Sequence, residues 1–124
     1  MQNILYVGLG GFIGASLRYI ISLHSSRILG TQLPYGTLIV NVLGGFLIGV
    51  IMELSIKNNM MSQSLKLFLT TGIMGGLTTF STFSYETVAL FSGGSYILGM
   101  VNAGLNLFLS ISGVILGKLI TQFI

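Results

Sequence analysis

Asn102, Asn106 and Ser110 fall at i, i+4 and i+8 in an otherwise apolar stretch. On a helix they climb one face as a ladder of two amides and a hydroxyl. Thr37 and Asn41 share that spacing with Gly45 and Gly49, and Thr78-Thr79-Phe80-Ser81-Thr82-Phe83 packs hydroxyls and rings together between the two patterns. Phe80 and Phe83, three apart, share a helix face. Amide N–H, hydroxyl O–H and the edge of an aromatic ring all present positive partial charge. A path lined by Thr37, Asn41, Phe80, Ser81, Thr82, Phe83, Asn102, Asn106 and Ser110 therefore suits a small, hard anion. The competing reading is structural: an asparagine in lipid needs a partner, so Asn41 could be interhelical glue, and paired phenylalanines could be packing. Two asparagines and a serine aligned in one span fit the glue reading less well.

Other chemistry finds little footing. There is no cysteine, and the one histidine, His24, is read in a loop with Ser25, Ser26 and Arg27 and is given no role. No His/Asp/Glu cluster or phosphate loop supports an enzyme. The net charge is +3, but five scattered cations form no phosphate-binding face. A proton-coupled exporter needs a titratable group at the midplane of its binding helices. The first apolar segment has no carboxylate, which counts against a four-helix multidrug exporter. A non-transporting membrane subunit is the other alternative.

The elements that must position these groups are membrane helices. A 124-residue chain with 6% charged residues and a mean hydropathy of +0.95 reads as all-α and integral to a lipid bilayer. One span needs about 20 apolar residues. Four spans, at Ile4–Leu23, Tyr35–Ile56, Leu65–Phe91 and Tyr96–Phe123, use nearly the whole chain, so residues 1–124 form one domain. The first segment has no basic leader or cleavage pattern and is expected to be retained. Pro34 stands at the entrance of the second span, where it sacrifices no hydrogen bond. Gly10/Gly14, Gly45/Gly49, Gly72/Gly76 and Gly113/Gly117 give every span a close-packing pair.

Local consistency fails in the third span. Gly75-Gly76 followed by hydroxyls and rings predicts a break at the glycine pair, because Ser and Thr side chains can satisfy the backbone groups that a break sets free. Broken backbone at membrane depth is tolerated where it is buried or lines a watery path. Alternatively, the glycines only let two helices approach. Arg18 near the end of the first span either snorkels to the interface or faces a pore mouth. Glu53 reads as interfacial near Lys57, and Glu86 as reaching water or bonding within its own turn. With both termini on one side, Lys57, Lys66 and Lys118 oppose Arg18 and Arg27, a margin too small for the positive-inside rule to decide. Such a chain can insert both ways, which permits an antiparallel dimer.

The chain resembles the Fluc, or CrcB, family of small fluoride channels. The resemblance rests on the run Gly10 to Tyr19, on Gly36-Thr37-Leu38-Ile39-Val40-Asn41, and most specifically on the run Gly72 to Phe83. The fourth span matches more loosely, since an amide stands at Asn102 where the family often has an aromatic. The resemblance implies a dual-topology antiparallel homodimer with two pores, conducting fluoride passively and selectively so that a cell can shed it across its plasma membrane. It also implies a central Na+ held by the backbone carbonyls of Gly75 and Thr78 from both subunits. Phe80 and Phe83 map onto the family's aromatic pair, Asn41 onto its pore asparagine and Arg18 onto its vestibule arginine. A cation about 10 Å from the anion contributes only about 1.7 kcal/mol at an effective dielectric of about 20. Fluoride loses far more on dehydration, so direct donors from Asn41, Asn106, Ser110 and the ring edges must carry most of the binding.

Overall fold

A computed structural model describes residues 1–59 and 61–124. Four elements carry the apolar sequence across the bilayer. Helices α1 (Gln2–Leu29), α2 (Tyr35–Asn58) and α6 (Tyr96–Gln122) are each long and apolar enough to span. The remaining span comes in pieces: α3 (Gln63–Leu67), a π-helical turn (Phe68–Met74), α4 (Gly75–Leu77) and α5 (Phe80–Ser92). No strand occurs among the described residues.

Helix ends follow local chemistry. Ser62 caps α3 by accepting the Leu65 N–H at 3.1 Å, and Thr79 caps α5 by accepting the Thr82 N–H at 3.1 Å. The expected loop at His24 to Arg27 is helical instead. Nothing in Ser22 to Leu29 breaks a helix, so α1 continues until Gly30, whose φ of 88° only glycine adopts without strain. His24 Nδ1 lies 2.9 Å from the Ile20 carbonyl one turn back.

Glycines set the packing. α1 runs parallel to the first half of the broken span: Ser64 bonds Asn3, Gly10 lies on Phe68 and Gly72, and Gly14 lies on Ile73 and Leu77. A Cβ on Gly10 would sit 2.5 Å from the Phe68 carbonyl oxygen, and one on Gly76 would sit 2.6 Å from the Gly11 oxygen. Those backbones touch because no side chain separates them. α2 and α6 form a second parallel pair, with Gly45 and Gly49 against the Ser110 and Val114 backbone, and Gly113 and Gly117 against Val42 and Phe46. At the far end of this pair the Lys57 ammonium donates to the Thr121 and Gln122 carbonyls at 2.8 and 3.1 Å. This places a cation on the negative pole of α6. Both chain termini lie at this same end of the bundle.

The break corrects one expectation. Gly75 is right-handed helical and both glycines lie inside α4, while the extended backbone is at Thr78 (φ −85°, ψ 157°) and Thr79 (φ −152°, ψ 122°). Gly76 is spent on contact with α1 while Gly75 is exposed, so neither glycine opens the helix and the threonine pair breaks it. Past the break the chain changes partner: the π turn and α4 pack on α1, whereas α5 packs on α6.

Candidate functional site

Asn41, two turns into α2, faces the break and divides its amide between the break and α6. Its Oδ1 accepts the Thr79 N–H at 2.8 Å, and its Nδ2 donates to the Thr79 carbonyl at 3.1 Å and to Asn106 Oδ1 at 3.0 Å. The side chain thus pairs with both backbone groups of one residue, as a neighbouring strand would. Thr79, itself buried, cannot also close an α-helical bond.

The ladder on α6 continues the chain of amides. Asn106 Nδ2 donates to Asn102 Oδ1 at 3.1 Å and to the Asn102 carbonyl at 3.0 Å, Asn102 Nδ2 donates to Thr87 Oγ1 at 2.9 Å, and Thr87 donates to the Phe83 carbonyl at 2.8 Å. Asn102 is 0% and Asn106 4% exposed. Ser110, one turn further on, has a buried Oγ with no hydrogen-bond partner. The i, i+4, i+8 reading therefore holds as geometry: three polar side chains spaced about 6 Å apart along one helix face.

Phe80 and Phe83 meet edge to face, with ring centroids 5.4 Å apart. Phe80 is 79% exposed and stands at an open cleft of about 670 Å³ whose lining includes Asn41, Gly75, Thr78, Asn106 and Ser110. Ser81 and Thr82 are exposed and stay near the α5 cap, where Thr79 Oγ1 lies 3.3 Å from Ser81 Oγ and donates to Thr82 Oγ1 at 3.2 Å. Ser84 bonds back to the Phe80 carbonyl at 2.9 Å.

Thr37 is buried, but its partner lies outside the ladder: its hydroxyl donates to Glu86 Oε1 at 2.5 Å. Glu86 was expected to reach water or bond within its own turn. The bond across to α2 forms because α5 leaves α1 and lies over the start of α2. Both residues line a second cavity, of about 410 Å³, with Ser22, Ser26 and Tyr85. Arg18, half-buried on α1, does not join the amide cluster.

Two contributors escaped sequence reasoning. Thr87 was given no role, and Thr79 was seen only as one of many hydroxyls. A threonine directly before the first apolar residue of a periodic segment, as Thr79 stands before Phe80, is a helix-start pattern, and it could have located the break.

Residues 5–118 match the family model described as CrcB-like protein, Camphor Resistance (CrcB). The chain belongs to the CrcB family. Relatives in that family include the fluoride-specific ion channel FluC of Clostridium perfringens, 54% identical over 120 residues, covering 97% of this chain and 94% of that protein. The protein of the same name from Ruminiclostridium cellulolyticum is 48% identical over 124 residues, 100% of this chain and 95% of its own. That from Shewanella woodyi is 46% identical over 118 residues, with coverage of 95% and 94%. With its apolar helices, the chain is a multi-pass membrane protein of this family.

Proposed function

We propose that this chain is a passive, selective fluoride channel that lets a cell export the ion, working as an antiparallel, dual-topology homodimer with two pores. The observation that carries the reading is the hydrogen-bonded run of amides and hydroxyls from Asn41 to Thr87, with Phe80 and Phe83 lining the same cleft as Asn41 and Asn106, in a chain whose near-full-length relatives are named for fluoride. Along this track Ser110 offers an uncommitted hydroxyl, and Asn41 and Asn106 would serve fluoride by exchanging one protein acceptor for the ion. Ring edges of Phe80 and Phe83 not spent on each other supply further positive partial charge. Chloride, being larger, is held less well by the same donors. Arg18 stands at the vestibule in this reading, and Thr37, Ser81 and Thr82 border the route.

The break fits a structural Na+. In an unbroken helix the Gly75 carbonyl would receive the Thr79 N–H and the Thr78 carbonyl the Thr82 N–H, but those donors go to Asn41 Oδ1 and Thr79 Oγ1. Gly75 borders the open cleft. Two copies meeting there antiparallel would offer four carbonyls, a neutral, hard donor set that suits a monovalent cation better than a divalent one. When bound, the cation adds positive potential near the dimer axis and ties the two breaks together. A second copy over the cleft would also cover Phe80, Leu107 and Ile111, which are exposed in the single chain.

Purified protein in liposomes, with no other component, should release fluoride down its gradient. Efflux that stops when a proton gradient is collapsed with the fluoride gradient intact would overturn the passive reading. Replacing sodium by a large organic cation should lower flux and dimer stability, with lithium a weaker substitute.

A further inference from the structure

Four side chains link Thr79, just before α5, to Phe83 within it, in the order Asn41, Asn106, Asn102, Thr87. Both ends of this chain are backbone. The Thr79 N–H can only donate and the Phe83 carbonyl can only accept. Asn41 must therefore turn its oxygen to Thr79 and its nitrogen to Asn106, and Thr87, giving its hydrogen to Phe83, must accept from Asn102. The same polarity results from either end, and Asn102 is the link on which the two halves have to agree.

We propose that Asn102 is a positioning residue for conduction, fixing which way the Asn41 and Asn106 amides face and, through Thr87, the seat of the half-helix that carries Phe80 and Phe83. It is wholly buried and sits between both neighbours. An apolar residue of similar volume at this site would fill the space yet release the polarity, since Asn106 keeps only the backbone oxygen of residue 102 and Thr87 loses its donor. This rests on the fluoride reading and deepens it by giving Asn102 an effect through its neighbours.

The test measures fluoride efflux from liposomes, with protein-free vesicles subtracted at each pH. Asn102→Leu should lower flux at least about tenfold in protein that still elutes as the native species. Asn102→Asp should conduct poorly at pH 8 and regain at least about threefold on acidification to pH 5.5. An ionised carboxylate cannot donate to Thr87, whereas the protonated form can. Glu86, next to Thr87 and bonded to Thr37, is present in wild type and variant alike, so the difference between their pH profiles isolates position 102. Thr87→Val should lower flux, and adding it to Asn102→Leu should cost no more than about another twofold, since both remove one chain. Flux of Asn102→Leu within twofold of wild type, or an Asn102→Asp loss that ignores pH, overturns the proposal. If the leucine variant does not fold, the aspartate pH profile decides. A wild-type protein that passes no fluoride in the same vesicles sinks the fluoride reading instead.

Discussion

The two halves of the broken span lie end to end but are held by opposite means. The π turn and α4 sit on α1 through bare backbone, Gly72 on Gly10 and Gly76 on Gly11, without a side-chain hydrogen bond across that seam among the described residues. α5 is held by amides and hydroxyls reaching from α2 and α6. Where backbones touch, little can turn or exchange. Where side chains hold, every bond can be traded for an ion or a water. The difference teaches that the break is a change of attachment, from a seam that fixes position to one that can serve a permeating anion.

The glycine seam should be the more fragile to any added atom. A Cβ on Gly14 would overlap the Ile73 carbonyl, which is backbone and cannot rotate away. Gly14→Val should cost stability at or above the top of the usual range of about 1–3 kcal/mol for overpacking, read as lost yield and a lower melting temperature in detergent. A native-like melting curve would mean that α1 can slide on its partner.

The polar seam should respond in function before stability. Asn41→Asp, acceptor-only when ionised, cannot donate to the Thr79 carbonyl or Asn106, and conduction should be abolished in a folded protein. Near-normal flux would remove Asn41 from the pore.

Smaller losses are expected at the rings. Phe80→Ile or Phe83→Ile keeps bulk and removes the quadrupolar edge, so flux should fall severely while folding persists. Two fully conducting variants would return both rings to a packing role. Smallest of all, Thr78→Val should shift stability by about 1 kcal/mol or less and leave sodium dependence intact, since the hydroxyl bonds only to the Met74 carbonyl and the proposed ligand is backbone. Loss of sodium dependence there would relocate the ion.

Much of this was legible in the sequence because membrane helices state themselves plainly. Length and hydropathy located the spans, and spacing aligned Asn102, Asn106 and Ser110. The break was foreseen but misplaced by three residues: glycines loosen a helix in isolation, yet here Gly76 is held against α1 and Asn41 draws the Thr79 N–H and carbonyl out of the helix instead, contacts invisible without the partner helices. The π turn at Phe68–Met74 left no mark of its own, since apolar residues, two threonines and a packing glycine read equally well as ordinary membrane helix. Side-chain polarity was also beyond reach, because whether an asparagine is spent or free depends on which helix faces it.

Both chain ends lie on one side of the bundle. A reporter fused to either terminus of any copy therefore emerges on the same face as one fused to the other. Two reporters on one chain must then agree, molecule by molecule, on which compartment they occupy. If insertion goes both ways, a population labelled at the C-terminus should be half accessible to a membrane-impermeant reagent, and the N-terminal label should give the same fraction. Disagreement between the two would indicate chains that failed to complete four crossings, so a pair of labels counts inverted copies and flags misassembled ones at once.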